Sequence, residues 1–296
     1  MKVLNKMKNL QMFCLTLEPS HLEFIKSLNY IPVGLGEKKF SDKWFTDKNG
    51  KNISKKNRNY GEYTFHYWLW KNYINQLKDE WIGFSQYRKF WTIRNYENFK
   101  LDINKINSIA IKEITSEFND CEVILGSPFY VNQRRISKFL KKGIKIVLKK
   151  PGVLFNKNSR NLSFHFDLMH GEKNLEKAIN LLDSKNRTDF QDYMNKNFYF
   201  HPHNMFICKS KSLLIEYYET IFPWLEKCED VFGFKNLQGY DLTRIYGFLA
   251  ERFLSYWFTK NVKYKTMNIT FYDINKDLKK YFILNIFSIY QDSLKN

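Results

Sequence analysis

The sequence predicts an α/β fold in which helices flank a sheet and the carboxyl-terminal part is helical. Residues 11–15 are mostly apolar, residues 18–28 have helical spacing, and residues 30–33 are apolar again. This strand–helix–strand order is the usual opening of an α/β sheet. Hydrophobic residues make up 44% of the 296 residues and aromatic residues 18%, which is typical of a globular chain with a substantial core. We therefore expect one large domain.

The remaining elements are predicted from the period of the apolar residues, which is 3.6 in helices and 2 in strands. Predicted strands are 81–84, 121–130, 204–208 and 262–272. Predicted helices are 60–73, a mixed stretch 99–118, 174–182, 211–229, 239–258 and a basic, aromatic segment 276–294. The last segment would lie on a membrane or simply pack on the protein.

The charge of the chain predicts a polyanionic partner. The chain has 48 Lys and Arg against 30 Asp and Glu, a formal net charge of +18. Nucleic acid, anionic lipid headgroups and phosphorylated substrates all fit this excess. Residues 134–150 contain eight cations, no acid and several interleaved apolar residues, a pattern that raises the chance of contact with an anionic membrane surface or a phosphorylated acceptor. No nucleic-acid-binding module surrounds this run, so nucleic acid is the less favoured partner.

Several common sites are not predicted. The glycines at 34 and 36 open no GxGxxG motif, and no GxxxxGK[ST] motif occurs, which argues against dehydrogenases and P-loop enzymes. The six histidines include no HExxH pair, so we expect no metal site. The four cysteines are far apart and form no CxxC pair, which is typical of buried free thiols in a reducing compartment. The chain shows no signal peptide and no apolar run long enough to span a membrane, so a cytoplasmic location is expected.

A candidate anion site lies at the end of the predicted strand 81–84. The chain runs from this strand directly into Gln86, Tyr87, Arg88 and Lys89. Two adjacent cations and a tyrosine hydroxyl at a strand end suit an anionic ligand, because α/β proteins bind ligands at that edge of the sheet. The alternative is a strand end that is merely solvated.

Two other stretches carry candidate polar residues with structural alternatives. Asn59 followed by Glu62 fits a variant of the helix capping box, and this interpretation is favoured over a catalytic role for Glu62. Farther along, Arg244, Gly247 and Glu251 share one helical face. A glycine inside a helix costs up to about 1 kcal/mol, so something is expected to approach closely at Gly247, either a ligand or another helix.

Three blocks of the chain resemble a bacterial polysaccharide glycosyltransferase family. The first block is Asn52-Ile-Ser through Asn57 and Tyr60-x-Glu62-x-Thr64-x-x-Tyr67-Trp68-x-Trp70-Lys71-Asn72. The second is Ile82-Gly83-x-x-x-Tyr87-Arg88-Lys89-Phe90. The third is His203-Asn204-Met205-Phe206-Ile207 with Tyr240-Asp241, then Arg244-x-x-Gly247-Phe248-x-x-Glu251-Arg252. The family has long been catalogued as a domain of unknown function. Its members occur in capsule and O-antigen biosynthesis and include a galactofuranosyltransferase domain with a GT-A-like fold.

This sequence departs from the family pattern at three positions. Gly61 stands where the family has Cys, Gln86 where it has His, and Lys89 where it has a second Arg. The change at 86 removes a titratable group, and the change at 89 removes a bidentate donor. A different donor or subgroup is therefore plausible.

The resemblance implies sugar transfer from a nucleotide-diphosphate donor, UDP-linked and with galactofuranose as one candidate sugar, to a capsular or O-antigen glycan or lipid-linked glycan. It also implies a GT-A-like nucleotide-sugar-binding domain over residues 1–272, followed by the basic amphipathic helix at 273–296. The chain contains no Asp-x-Asp motif. Fixed cations can stabilise a departing diphosphate, so we expect transfer without a metal or other cofactor.

The resemblance also assigns candidate roles to residues. Asp241 is the first candidate for the catalytic base and Glu251 the second. The candidate donor and phosphate ligands are Asn52, Asn57, Tyr60, Glu62, Thr64, Tyr87, Arg88, Lys89 and Arg244. The candidate ligands of the acceptor or donor sugar are His203, Asn204 and Arg252. Peripheral contact with the inner face of the cytoplasmic membrane is a further expectation. The competing hypothesis is a non-enzymatic basic protein that binds nucleic acid or an anionic membrane.

Overall fold

The computed structural model describes residues 9–78, 81–97, 99–133, 144 and 146–276. The strands are β1 (Leu10–Thr16), β2 (Ile31–Gly34), β3 (Phe45–Thr46), β4 (Trp81–Gln86), β5 (Lys89–Thr92), β6 (Val123–Gly126), β7 (Phe129–Tyr130), β8 (Tyr199–Phe200), β9 (Phe206–Cys208) and β10 (Tyr264–Phe271).

The helices are α1 (Leu22–Ser27), α2 (Asn57–Tyr60), α3 (Tyr63–Trp68), α4 (Ile103–Ile109), α5 (Gly152–Phe155), α6 (Leu162–His170), α7 (Asn174–Asn180), α8 (Ser184–Lys196), α9 (Lys211–Phe232), α10 (Gly239–Thr243) and α11 (Ile245–Asn261). Short 3₁₀ turns cover Pro19–His21, Ser54–Lys56, Ile74–Gln76, Ser116–Phe118, Val131–Gln133, Lys157–Ser159 and Ile274–Lys276, and a π-helical turn covers Leu69–Tyr73.

Eight of the described strands form one mixed sheet in the order β3-β2-β1-β4-β5-β10-β6-β9, and β9 also pairs with β4. The strands β3, β2, β1 and β4 are parallel to one another. β9 runs antiparallel to both β4 and β6, while β10 is parallel to β6 and antiparallel to β5. As a result, the carboxyl ends of β1, β2, β4 and β10 and the amino end of β5 meet at one edge of the sheet.

Both faces of the sheet are covered. Along β1, Phe13 and Leu15 belong to a large core formed with α3, α9 and α11, whereas Met12 and Cys14 belong to a second core formed with α1 and α4. This alternation follows from the two-residue period of a strand. All four cysteines are buried free thiols, as predicted. The mixed α/β class is confirmed, and most predicted strands and helices lie within a few residues of their expected bounds.

Five predictions need correction or concern residues outside the described ones. The predicted helix 99–118 is shorter than expected, because α4 covers only Ile103–Ile109 and a 3₁₀ turn covers Ser116–Phe118. The predicted helix 60–73 is interrupted, because α2 ends at Gly61 and a new helix begins at Tyr63. The predicted strand 121–130 is two strands, β6 and β7, separated at Ser127 and Pro128. The basic stretch 134–150, except for residues 144 and 146–150, and the carboxyl-terminal segment 277–296 lie outside the described residues. No helix in the described part of the chain is both long and apolar enough to cross a membrane.

Candidate active site

A two-lobed cleft lies at the sheet edge where β1, β2 and β4 end. The lobe that we call the inner lobe has a volume of about 420 Å³ and is lined by Leu15, Thr16, Leu17, Leu35, Asn57, Gly61, Glu62, Gln86, Tyr87, Arg88, Lys89, Tyr240, Arg244 and Phe271. The outer lobe has a volume of about 980 Å³ and is lined by Leu17, Glu18, Leu35, Gly36, Glu37, Lys38, Lys48, Ser54, Lys55, Asn57 and Arg58. Leu17, Leu35 and Asn57 line both lobes, so the two spaces adjoin.

The break between α2 and α3 shapes the inner lobe. Gly61 ends α2 with φ 58° and ψ −130°, a conformation that is available to glycine and strained for other residues. A side chain at Gly61 would overlap the guanidinium group of Arg244. The Asn57 amide donates to the Gly61 carbonyl at 3.0 Å and to the Thr64 hydroxyl at 3.1 Å, which holds the turn. The turn therefore directs Glu62 into the cleft and leaves space for Arg244.

Glu62 is the centre of a hydrogen-bonded network. Its Oε1 accepts from Gln86 Nε2 at 2.8 Å, and its Oε2 lies 3.4 Å from Arg244 NH2. Gln86 Nε2 also donates to the His203 carbonyl at 2.9 Å, and Gln86 Oε1 accepts from Lys89 Nζ at 2.7 Å. The network brings together residues that lie far apart along the chain. The capping-box interpretation of Glu62 is wrong, because its carboxylate points to the network and Asn59 donates to the Thr243 carbonyl instead.

The pKa values of Lys89 and His203, near Glu62, are shifted so that the neutral form of each group is favoured. Burial lowers the pKa of Lys89, and the nearby carboxylates of Glu62 and Glu251 oppose this shift. Burial also lowers the pKa of His203 to about 3, with the Lys89 cation contributing in the same direction. The His203 ring lies edge-on to Phe271, with ring centroids 5.0 Å apart. His203 is therefore neutral at pH 7 and cannot share the positive charge of the cleft.

Tyr87 and Arg88 form the turn between β4 and β5 at the mouth of the inner lobe. Arg88 Nε lies 3.4 Å from Asp273 Oδ2, and the guanidinium carbon is 4.8 Å from the centre of the Tyr87 ring. The Tyr87 ring also stacks on His21, which bonds to the Thr16 hydroxyl at 2.7 Å. About half of the Arg88 side chain, 52%, is exposed. Arg88 is thus positioned by aromatic stacking but remains accessible to an anionic ligand.

The two predicted catalytic carboxylates lie away from the inner-lobe lining. Glu251 is buried in α11, where its Oε1 accepts from the His203 backbone N–H at 2.5 Å and its Oε2 pairs with Arg252 NH1 at 2.6 Å. These bonds hold the left-handed backbone at His203. Asp241 lies in α10, its backbone carbonyl accepts from His170 Nδ1 at 3.2 Å, and it is not among the described residues that line either lobe. Among the described residues, Glu62 is the carboxylate that lines the inner lobe, and Asp241 and Glu251 do not line it.

Several other predicted ligands pack or form hydrogen bonds within the protein. Tyr60 is buried and stacks on Tyr246 at 5.0 Å, and Thr64 is buried under the Gly61 turn. Asn204 is buried and its amide donates to the Gly247 carbonyl at 3.2 Å. Arg252 is buried, with its guanidinium carbon 3.4 Å from the centre of the Phe200 ring. Asn52 folds its own loop by accepting from Ser54 N–H and donating to two backbone carbonyls.

Gly247 is explained by helix packing. A Cβ at this position would lie 3.3 Å from the Tyr60 carbonyl oxygen at the end of α2. Such a distance is tighter than ordinary van der Waals contact, so glycine lets α11 approach the backbone of α2. The close approach predicted from the sequence is therefore made by protein rather than by a ligand.

Sequence reasoning missed the outer-lobe cations and a buried carboxyl group. Lys38, Lys48, Lys55 and Arg58 line the outer lobe, yet they belong to no motif. Asp47 is fully buried below the Asn57 and Thr64 turn, and burial raises the pKa of its carboxyl group, a shift that the nearby Thr64 hydroxyl partly offsets. Neither Asp47 oxygen accepts a hydrogen bond of normal geometry from the described residues, although the Thr64 hydroxyl lies nearby. One feature of the sequence could have indicated this residue. Asp47 lies two residues after an apolar pair, a position where a short strand can end.

The charged side chains of the cleft are mostly cations. The described part of the chain contains no group of three or more His, Cys, Asp or Glu side chains placed to hold a metal ion. The charged groups that line the inner lobe are Glu62, Arg88, Lys89 and Arg244. This lobe therefore presents three cations and one carboxylate to a ligand.

Comparison with known proteins places the chain in a family. Residues 15–262 match the family model described as Domain of unknown function (DUF4422), so the chain belongs to that family. It is similar to a solved apo structure of the WbbM bifunctional glycosyltransferase, with a TM-score of 0.66 and 21% sequence identity over 89% of this chain. The similar region spans 45% of the WbbM chain. No curated protein matches the sequence. The likeness to WbbM shows a shared fold.

Proposed function

We propose that this protein is a glycosyltransferase that moves a sugar from a nucleotide-diphosphate donor to a glycan or lipid-linked glycan acceptor. The observation that carries the proposal is that Arg88, Lys89 and Arg244 line one small lobe together with the Glu62 carboxylate at the carboxyl edge of the sheet. A diphosphate leaving group needs fixed positive charge, and a reacting hydroxyl needs a base. The fold shared with a bifunctional glycosyltransferase supports the same function.

The proposed fold class is a GT-A-like nucleotide-sugar-binding domain. Support comes from the run of parallel strands β3, β2, β1 and β4, followed by β9 in the opposite direction between β4 and β6. The cleft lies outside the carboxyl ends of these parallel strands, where open α/β sheets bind their ligands.

The two lobes fit the two parts of such a donor. The outer lobe has the larger volume and carries Lys38, Lys48, Lys55 and Arg58, which suits a nucleoside and its phosphates. The inner lobe is smaller and contains Glu62 between cations, which suits the sugar and the bond to be broken. The donor would thus lie across Asn57, Leu17 and Leu35, with the diphosphate where the lobes meet. UDP as the nucleotide and galactofuranose as the sugar remain parts of this proposal.

In the proposed reaction, written for inversion at the sugar, the acceptor hydroxyl oxygen bonds to the anomeric carbon. The bond from that carbon to the phosphate oxygen breaks, and its electron pair leaves with the diphosphate. Lys89, Arg88 and Arg244 offset the charge that develops on the leaving group. Glu62 takes the proton from the acceptor hydroxyl, because it is the carboxylate that lines the inner lobe. The three cations are the groups that would let the transfer proceed without a metal ion.

The proposal also includes the pathway and the cellular location. The family resemblance favours capsule or O-antigen synthesis, on the inner face of the cytoplasmic membrane. The excess positive charge, +18 for the whole chain, suits both a nucleotide-sugar donor and contact with anionic lipid headgroups.

The test is calorimetric titration of the full chain with UDP-sugars and other nucleotide sugars, with and without EDTA. We expect binding to one nucleotide class that persists in EDTA and weakens at least about tenfold in Lys89→Met, since a buried charged hydrogen bond is worth about 1.5–3 kcal/mol. Lys196→Met is the control, because Lys196 is a lysine on α8 that is 72% exposed and does not line either lobe.

Two results would contradict the proposal. Loss of all nucleotide-sugar binding in EDTA would contradict transfer without a metal ion. Absence of binding to every nucleotide sugar, together with tight and salt-sensitive binding to RNA or anionic vesicles, would replace the enzyme with a basic binding protein.

A further inference from the structure

A third cavity adjoins the cleft and has no role in the donor site. This cavity, which we call the side groove, has a volume of about 580 Å³ and lies beyond the end of β10. Its aromatic lining residues include Tyr96, Phe99 and Phe271. Phe271 also lines the inner lobe, so a single side chain separates the side groove from the proposed site of transfer.

The sheet fixes Phe271 as this partition. Phe271 ends β10 and pairs in register with Lys89 at the start of β5. Lys89 Nζ lies 5.8 Å from the centre of the Phe271 ring, and the His203 ring packs edge-on against it. Even so, 55% of Phe271 is exposed. The ring is therefore held on the side of the inner lobe and remains open to a ligand.

The three cavities follow the order of the strands in the sheet. The outer lobe lies at β1 and β2, the inner lobe at β1, β4 and β5, and the side groove at β10, which is the next strand after β5. Displacement at a sugar carbon needs the entering oxygen opposite the leaving oxygen, with the reacting atoms aligned. A donor that fills the outer and inner lobes would leave the side groove free, and this groove adjoins the inner lobe at Phe271.

The lining of the side groove suits a sugar ring. Tyr96 and Phe99 pack edge-to-face with centroids 5.3 Å apart, and Phe99 is 61% exposed. Such rings offer flat apolar faces to the C–H groups of a sugar, and Glu97, Lys100 and Lys276 supply polar groups for its hydroxyls. The mixture of acid and base lacks the single sign of charge that selects an anionic membrane surface.

We propose that the side groove binds the acceptor glycan and that Phe99 is a ring on which an acceptor sugar stacks. This inference rests on the proposed transferase function, because it uses the donor's position to assign the side groove to the acceptor. It adds the acceptor class, an uncharged hydroxyl-rich sugar ring, and names the surface that selects it. Phe271 would contact both the transferred sugar and the acceptor.

The experiment is saturation-transfer NMR on the full chain with UDP present and a panel of methyl furanosides and methyl pyranosides as probes. The variants are Phe99→Ala, Phe99→Tyr and Phe155→Ala. Phe155 is the matched control because it is an exposed phenylalanine, 88%, that lines none of the three cavities. Calorimetry with UDP on each variant reports the donor site independently.

We expect one class of methyl glycoside to give saturation transfer with the wild type, Phe99→Tyr and Phe155→Ala. The same probe should bind about tenfold more weakly to Phe99→Ala, the factor that corresponds to loss of a favourable ring contact. UDP affinity should stay unchanged in all four proteins. If glycosides bind in this manner but no nucleotide binds, the groove is a sugar site and the proposed transferase function fails.

Three outcomes would overturn the acceptor groove. Equal glycoside binding by wild type and Phe99→Ala would place the acceptor elsewhere. If no methyl glycoside gives a saturation-transfer signal while UDP still binds, the groove is not a sugar site. Association with phosphatidylglycerol vesicles that disappears in Phe99→Ala would make the surface a lipid contact.

Discussion

The two lobes of the cleft both carry cations, but they hold them differently. In the inner lobe, Lys89 bonds to Gln86, Gln86 bonds to Glu62, and Glu62 faces Arg244. In the outer lobe, Lys38 pairs with Glu18 at a site where these side chains are 56% and 37% exposed. Within the described part of the chain, Lys55 and Arg58 have no ion-pair partner at all.

This difference suggests that the inner lobe orients the ligand and that the outer lobe attracts it. Charges that are partly buried and bonded to one another keep their positions and are weakly screened, which suits groups that must meet a transition state. Exposed lysines and arginines move freely and are screened by salt, so they attract an anion without orienting it. We therefore expect inner-lobe substitutions to cause large losses of turnover or affinity, and outer-lobe substitutions to cause small, salt-dependent losses of affinity.

The largest effect is expected for Glu62→Gln. This change keeps the side-chain shape and the contact with Gln86 but removes the group that would accept the proton. We expect turnover to fall by about 10²- to 10⁴-fold with little change in donor affinity, the range for loss of a general base. Steady-state kinetics with saturating donor measure the first quantity and calorimetry the second.

The matched control for Glu62 is Glu18→Gln in the outer lobe. Glu18 pairs with Lys38 as Glu62 pairs with Arg244, so the two changes remove the same charge from the two lobes. An equal loss of turnover in both variants would erase the distinction between the lobes. A Glu62→Gln enzyme with normal turnover would show that another group accepts the proton.

The next effect concerns Gly61→Ala, which tests how the inner lobe is built. Positive φ costs a non-glycine residue about 1–3 kcal/mol, so the free energy of unfolding should fall by that amount. The new methyl group would also displace the Arg244 guanidinium from Glu62. We therefore expect a loss of donor affinity of about tenfold in addition to the loss of stability, because a charged hydrogen bond is removed.

Gly233→Ala separates the two consequences of the Gly61 change. Gly233 ends α9 with φ 59° and ψ −156°, close to the backbone angles of Gly61, but a Cβ there meets no atom within 4 Å. Chemical denaturation should show a similar loss of stability in both variants. Donor affinity should fall only in Gly61→Ala, and an equal fall in both would mean that strain alone weakens the site.

Much of the fold could be predicted because it depends on local patterns. The strand β1, the helix α9 and the strand β10 each carry a clear apolar period, and their predicted bounds differ from the observed ones by a few residues. The break at Gly61 was missed because the apolar period continues across it. The two-residue strand β3 was missed because such a strand is defined by its partner β2 and not by its own sequence.

The candidate site was predicted in part, for a similar reason. Gln86 through Lys89 were expected at a strand end, and the strand places them there. The role of Glu62 could not be read from its neighbours, because Gln86 and Arg244 reach it only through tertiary contacts across 24 and 182 residues of sequence. Local reasoning assigned Glu62 to a capping box and looked for the base at Asp241, which lies outside the cleft lining.

A smaller effect is expected on the pH dependence of stability. In the native state, burial and Lys89 hold the pKa of His203 at about 3, whereas an unfolded histidine has a pKa of about 6.5. The unfolded chain therefore binds a proton that the native protein does not. The stability from neutral His203 is complete above pH 6.5 and is lost as the pH falls towards 3, with a loss of about 1.4 kcal/mol at pH 5.5.

Urea unfolding at pH 7.5 and 5.5 measures this loss. His203→Asn is the comparison variant, because asparagine tolerates the positive φ of 82° at this position and does not titrate. The wild type should lose about 1.4 kcal/mol more than the variant between the two pH values. Equal losses would show that His203 can bind a proton in the folded protein.

The smallest effect is expected in the outer lobe, from Lys55→Gln and Arg58→Gln. Each exposed cation contributes about 0.2–1 kcal/mol, so each change should weaken nucleotide affinity by about two- to fivefold at low salt. The difference from wild type should disappear in about 1 M salt, where charges separated by more than about 3 Å are screened. Lys227→Gln, an exposed lysine on α9, is the control and should change nothing. If the outer-lobe variants instead lost turnover at all salt concentrations, Lys55 and Arg58 would have to be fixed against the donor as firmly as Lys89 is fixed against Gln86. The distinction between a fixed inner lobe and a mobile outer lobe would then hold only for the protein without its donor.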